Sequence, residues 1–165
     1  MAIETERKFL LLDDAWRNEA VTPPKRLIQG YFPRVVGGPT VRVRISGAKG
    51  VLTVKGRPRD DAPLSRSEFE YPIPADEARS MLEEFCGGRL VKKLRYTFPA
   101  ADGLEWEIDE YLDLNAGLFT AEIELPDPET PFPRPPWLGE EITGDPRYTN
   151  AALSCRPYSL WRDRK

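Results

Sequence analysis

Residues 40–57 read Thr40-Val41-Arg42-Val43-Arg44-Ile45-Ser46-Gly47-Ala48-Lys49-Gly50-Val51-Leu52-Thr53-Val54-Lys55-Gly56-Arg57. Apolar and polar residues alternate on both sides of a glycine-rich turn, and a period of two is the period of a strand. The stretch therefore predicts a β-hairpin of Thr40–Ser46 and Val51–Arg57, joined through Gly47-Ala48-Lys49-Gly50. Residues i and i+2 share a face of a strand. Arg42 and Arg44 thus lie opposite Val41, Val43 and Ile45, while Thr53 and Lys55 lie opposite Leu52 and Val54.

The same alternation recurs outward in both directions. It predicts strands at Ile3–Leu11, Arg26–Phe32, Ser65–Ile73, Leu90–Phe98, Leu104–Leu112 and Phe119–Leu125. Ala101-Asp102-Gly103 reads as a second tight connection, and such hairpin spacing favours antiparallel pairing. One segment breaks the period. Ala78, Met81, Leu82 and Phe85 fall at helical spacing, after Pro74 and before Gly87-Gly88, so Ala75–Phe85 predicts a helix. A shorter helix is expected after Pro146, holding Tyr148 to Leu153. The proline cluster from Pro126 to Pro136 excludes an interior strand or helix there.

Sorted by face, the strands carry charge almost without neutral polar residues. Glu4, Glu6 and Lys8 share one face, as do Glu68 and Glu70, and Lys93 and Arg95. Glu105, Glu107 and Asp109 form another set, and Glu122 and Glu124 the last. Any one such strand matches the solvated outside of a sandwich, where ion pairs stabilise little. Taken together, the segregation of sign by strand suits a face that holds a polyanion through cations and a metal through carboxylates. A mainly β (α+β) fold follows: an eight-stranded antiparallel closed β-barrel, its charged face lining a tunnel and a few helices packed outside.

Composition narrows the chemistry. The chain has 165 residues, the length of one domain spanning 1–165. It contains no histidine, which excludes a Ser-His-Asp triad, a Cys-His pair and an imidazole-built zinc site. Two cysteines are too few for a disulfide framework. No apolar run reaches the length of a membrane span, and Met-Ala-Ile-Glu-Thr-Glu is acidic where a signal peptide is basic. A cytoplasmic setting is expected. A net charge of −3 argues against a nucleic-acid partner. Arginine and lysine suit phosphate oxygens, and an oxygen-only donor set suits Mg²⁺ or Mn²⁺. Hydrolysis or transfer at a phosphoanhydride is the matching reaction class.

Glu4-Thr5-Glu6-Arg7-Lys8 is an ExExK signature, and with the charged strand pairs it resembles the CYTH family, also called the triphosphate tunnel metalloenzymes. The likeness runs through Gln29-Gly30-Tyr31, Lys93-Leu94-Arg95-Tyr96, Glu107-Ile108-Asp109 and Glu122-Ile123-Glu124. It continues to Pro135-Pro136-Trp137-Leu138-Gly139-Glu140-Glu141 and Asp145-Pro146-Arg147-Tyr148-Thr149-Asn150, similar to the tail of short bacterial members. The resemblance implies that Lys8, Arg42, Arg44, Lys55, Lys93 and Arg95 bind a triphosphate. It implies that Glu4, Glu6, Asp109, Glu122 and Glu124 hold Mg²⁺ or Mn²⁺, and that Lys8, Glu6 and Lys93 serve catalysis. Glu68, Glu70 and Glu107 are read as supporting groups or as acids that balance arginine. Tyr31, Tyr96 and Tyr148 are read as packing groups, with a place at the tunnel mouth also open to Tyr148. Glu140 and Glu141 are read as helix-start carboxylates or as ligands.

The family implies a small-molecule triphosphate substrate and is compatible with a homodimer. The expected reaction is hydrolysis of inorganic tripolyphosphate to pyrophosphate and phosphate. Class IV adenylate cyclase and thiamine triphosphatase are the enzymatic alternatives, the latter needing an aromatic platform such as Trp16, Trp106 or Trp137. A non-catalytic polyphosphate- or nucleotide-binding module is the alternative outside catalysis, and carboxylates facing a polyanion count against it.

Overall fold

A computed structural model describes residues 2–19, 21–61 and 65–163, with the side chains of residues 2–4 outside the description. Its strands are β1 (Ala2–Leu11), β2 (Lys25–Tyr31), β3 (Thr40–Ser46), β4 (Lys49–Lys55), β5 (Ser65–Pro74), β6 (Leu90–Pro99), β7 (Glu105–Tyr111), β8 (Phe119–Glu124) and β9 (Leu138–Glu141). Two α-helices accompany them, α1 (Ala75–Phe85) and α2 (Asn150–Cys155). The sheet order is β5-β4-β3-β2-β6-β7-β8-β1-β9, and a β5–β1 pairing closes the first eight strands into an antiparallel barrel.

Strand β1 makes the closure by serving three partners. Ala2–Thr5 pair with β5, Glu6–Leu10 pair with β8, and Phe9 and Leu11 meet β9. Beyond Glu68 the described pairings of β5 are with β4 alone, so the wall parts there. The ninth strand was not foreseen. Leu138-Gly139-Glu140-Glu141 is too short to show alternation, and Gly139 fits because a Cβ there would stand 2.9 Å from the Leu10 carbonyl oxygen.

The apolar faces of most strands point outward and are covered, as the parity argument requires; β5 departs from it, since Phe69 and Tyr71 line the cavity beside Glu68 and Glu70 and Tyr71 stays exposed. Val43 and Ile45 pack beneath α1 against Ala78, Leu82 and Cys86. The helix has its predicted bounds: Asp76 and Glu77 complement its first turn, and Gly87 and Gly88 follow it at φ +56° and +81°. Phe9, Phe98, Trp106, Ile108 and Ile123 form the other outer core, under Trp16 and Trp137. Trp137 belongs to the proline-rich passage, which acts as a cover and not as sheet. No helix among the described residues is long and apolar enough to cross a membrane.

The lumen is charged over only part of its length. Leu10 continues the face of Lys8, Val91 that of Lys93, and Tyr111 that of Asp109. These residues pack with Leu118, Tyr148, Leu153 and Trp161 into a third apolar cluster, and α2 lies against β2 and β6. One end of the barrel is thereby filled. The closing segment is also less helical than its sequence suggests: Pro146–Tyr148 is a 3-10 turn, and extended Thr149 separates it from α2. The Thr149 hydroxyl accepts from the Ala152 N–H, an N-cap that starts the helix anew.

Helix α1 sits so close to β2 that a Cβ on Gly30 would lie 2.7 Å from Cys86 Sγ and from Leu82 Cδ2. Gly30→Ala is expected to destabilise the fold by about 1–3 kcal/mol in urea unfolding, the cost of overpacking. Adding Cys86→Ala should recover part of that loss.

Candidate active site

The charged part of the lumen is a cavity of about 780 Å³. Its cations are held by partners on neighbouring strands. Arg42 Nη2 donates to Thr53 Oγ1 at 3.1 Å and lies 3.8 Å from Glu70, leaving its buried Nε without a partner. Arg44 Nε donates to Gln29 Oε1 at 3.0 Å, and Gln29 Nε2 donates to Tyr31 Oη at 2.7 Å. Burial, then Arg42 and Arg95, push the Arg44 guanidinium down to about 10. Lys55 completes this side of the lining. Such a concentration of desolvated positive charge favours an anionic occupant.

Arg95 and Lys93 converge on one carboxylate. Arg95 donates to Asp109 through Nε at 2.8 Å and Nη2 at 2.9 Å, and its Nη1 lies 2.8 Å from Glu107. Lys93 Nζ donates to Asp109 Oδ2 at 2.7 Å and to Asn150 Oδ1 at 3.2 Å. Burial would raise the Asp109 pKa, yet Arg95 and Lys93 hold it far below the carboxylate range. For Lys93 the balance reverses: burial, helped by Arg95 and Arg44, outweighs Asp109 and lowers the ammonium to about 7. Both residues are buried and neither lines the cavity. The structure thus sets Lys93 and Asp109 beneath the lumen surface, with both Asp109 oxygens engaged, where the sequence led us to expect a phosphate contact and a metal ligand.

Lys8 does line the cavity. Its Nζ is 3.1 Å from Glu122 and donates to the Tyr148 carbonyl at 3.1 Å. Burial works against its charge, but Glu122, Tyr111 and Glu6 outweigh burial and raise its pKa well above the lysine range. Lys8 stays an ammonium, unsuited to act as a base. Glu122 is the counterpart: burial opposes ionisation, and Lys8 chiefly overcomes it, bringing the carboxyl to about 2.

Glu6, Glu107, Glu122 and Glu124 all face the same space. Glu6 stands directly opposite Glu124 across β1 and β8, and Glu122 is opposite both Lys8 and Glu107. Like charges placed opposite one another are unfavourable unless a cation intervenes. Burial and the neighbouring Glu122 and Asp109 raise the Glu107 pKa, against Arg95. Glu68 and Glu70 line the far wall joined by a hydrogen bond, which with Arg42 lowers Glu70 despite its desolvation. No three carboxylates among the described residues converge into a ready ligand cluster. A cation that keeps several waters needs only one or two carboxylates plus substrate phosphate, so the opposed Glu6–Glu124 pair fits a hard divalent ion. Glu4 is in β1, with its side chain outside the described residues.

Other expectations change. Tyr31 lines the cavity, whereas Tyr96 packs outside on Trp16. The Tyr148 ring stacks edge-on against Trp161 in the apolar plug, and only its carbonyl turns to Lys8. Glu140 and Glu141 lie in β9, not at a helix start, and Glu141 accepts two bonds from Arg7, at 2.6 and 2.8 Å. Trp16, Trp106 and Trp137 belong to the outer core and offer no platform in the tunnel. Arg34, Arg66, Thr149 and Asn150 line the cavity without having been foreseen. Arg66 shares the parity of Glu68 and was readable on that basis; the others come from loops or from the closing segment.

Two measurements check these electrostatics. Asp109→Asn removes the carboxylate that balances two buried cations and should cost about 3–5 kcal/mol in urea unfolding. The thermal midpoint should also depend on pH in two windows. Glu122 binds protons less readily folded than unfolded, so its stabilisation is lost as pH falls from about 4.5 toward 2. Folded Lys93 likewise releases its proton first, so stability should rise from about pH 7 to 10, and Lys93→Met should flatten that rise.

Comparison with known proteins agrees with this geometry. The CYTH domain matches residues 2–150. An inorganic triphosphatase of Acetivibrio thermocellus is 44% identical over 165 residues, covering 99% of this chain and 100% of its relative. An inorganic triphosphatase of Nitrosomonas europaea is 34% identical, covering 92% of this chain and 96% of its relative. The crystal structure of an inorganic triphosphatase superposes with a TM-score of 0.63 at 31% identity, covering 93% of this chain and 95% of that one. A lumen of paired cations and opposed carboxylates, enclosed by eight strands and matched along nearly its whole sequence, places this chain in the CYTH domain family.

Proposed function

We propose that the chain is a divalent-metal-dependent triphosphatase that hydrolyses inorganic tripolyphosphate to pyrophosphate and phosphate inside its tunnel. The observation that carries the reading is the meeting, in one lumen closed at one end, of Arg42, Arg44, Lys55 and Arg95 with the opposed Glu6–Glu124 pair. Relatives named inorganic triphosphatase at 44% and 34% identity support the same substrate class.

In this reading Arg42, Arg44, Lys55 and Arg95 bind the phosphate oxygens, and the unpartnered Arg42 Nε gains an acceptor. Lys93 and Asp109 act from below: Asp109 fixes the Arg95 guanidinium, and Lys93 gains charge when a polyanion occupies the tunnel. Lys8 donates to the phosphate nearest the closed end, its ammonium secured by Glu122. Glu6, Glu122 and Glu124, with Glu4, would hold Mg²⁺ or Mn²⁺. Such an ion, when bound, supplies charge neutralisation at the phosphoryl oxygens. Positioning and electrostatic stabilisation are then the main contributions of the protein to the rate.

The proposal treats residues 1–165 as one domain and takes a cytoplasmic setting, with which free Cys86 and Cys155 agree. It requires no nucleic acid or membrane, and it is compatible with a homodimer.

Product analysis with Mg²⁺ and with Mn²⁺ tests the function, with tripolyphosphate, ATP and thiamine triphosphate offered in parallel. Orthophosphate should appear fastest from tripolyphosphate. Cyclic AMP with pyrophosphate from ATP would overturn the reading in favour of a cyclase. Tight tripolyphosphate binding without turnover would favour a binding module. Arg42→Glu should abolish tripolyphosphate binding while the circular dichroism spectrum is kept. Glu122→Gln should weaken metal affinity and turnover together, and an unchanged metal titration would remove Glu122 from the ligand set.

A further inference from the structure

Asn150 stands where the charged lumen meets its plug. Its side-chain carbonyl accepts from Lys93 Nζ at 3.2 Å and from the Tyr111 hydroxyl at 2.8 Å. Burial raises the Tyr111 pKa, so the phenol keeps its proton and donates it. Two donors on one side fix which end of the amide is oxygen, and they turn the NH₂ group the other way. The residue is half-buried and lines the cavity. Next to it the chain passes over Lys8, whose Nζ donates to the Tyr148 carbonyl. Behind it Val91, Leu118, Leu153 and Trp161 form an apolar filling.

We propose that Asn150 reads the end of the substrate: its amide N–H groups donate to the terminal phosphate, and the filled floor behind it admits only a phosphate without a substituent. The inference rests on the triphosphatase reading and specifies its substrate class. The chain must present one free phosphate end to Asn150 and Lys8. A triphosphate esterified at one end binds with that substituent toward the open mouth, where the lining includes Arg34 and Tyr71. A triphosphate esterified at both ends has no orientation that fits.

Asn150→Asp separates this role from a structural one, because the carboxylate still accepts from Lys93 and Tyr111 but has no N–H to donate. The variant should keep its circular dichroism spectrum while KM for tripolyphosphate rises about tenfold to a hundredfold, with a smaller change in kcat. Asn150→Ala serves as a second, uncharged variant and should raise KM in the same direction. An unchanged KM in both overturns the assignment. In the wild type, a dinucleoside triphosphate esterified at both ends should neither be cleaved nor compete with tripolyphosphate. Competitive inhibition by it overturns the closed floor. Wild-type turnover of tripolyphosphate is measured first. If turnover is absent but binding is intact, the triphosphatase reading fails and Asn150 is judged by the binding constant. If tripolyphosphate does not bind at all, both fail.

Discussion

Burying like charges beside one another is the constraint to which the rest of this structure answers. Arg42, Arg44 and Arg95 share one desolvated space, with Lys93 beneath, and water cannot screen them as it would on a surface. Asp109 makes the arrangement tolerable. It takes three donated bonds from Arg95 and Lys93, so a single carboxylate fixes a guanidinium aimed into the lumen and an ammonium behind it. The compensation is incomplete, as the lowered Lys93 and Arg44 pKa values show.

Barrel closure keeps this charge desolvated. Strand β1 is central because it joins β8 over its second half and β5 over its first. Its outer face packs Phe9 into the aromatic core, while its inner face brings Glu6 and Lys8 beside Glu124 and Glu122. The outer covers serve the lumen indirectly. Helix α1 and the Trp137 segment shield the apolar faces, so the strands can reserve their other face for charge. At the far end Leu153 and Trp161 fill the barrel, turning a tunnel into a pocket.

Lys8 and Lys93 show why residue type alone does not assign a role. Both are buried lysines, yet Glu122 and Glu6 raise one while Arg95 and Arg44 lower the other. The first lines the cavity as an ammonium, and the second lies beneath its surface with its charge weakened. Sequence presents them only as two lysines on lumen-facing positions.

The sequence by itself determined which residues could share the interior. Alternation at period two sorts the faces of the strands it reveals, so Arg42 with Arg44, Lys93 with Arg95 and Glu122 with Glu124 were grouped without coordinates. Helix α1 was equally legible, since local spacing and its flanking proline and glycines encode it. Depth along the barrel was not legible, because it depends on strand register and on which distant segment fills which end. Register sank Lys93 and Asp109 below the lumen, and the fold of residues 146–161 brought Asn150 to its floor. Strand β9 escaped detection for the same reason: four residues carry no period, and only the exposed edge of β1 makes them a strand. Parity is a property of neighbours in the chain, whereas depth, partners and closure belong to residues far apart in it, as Thr5 and Ser65 or Lys93 and Asn150 are.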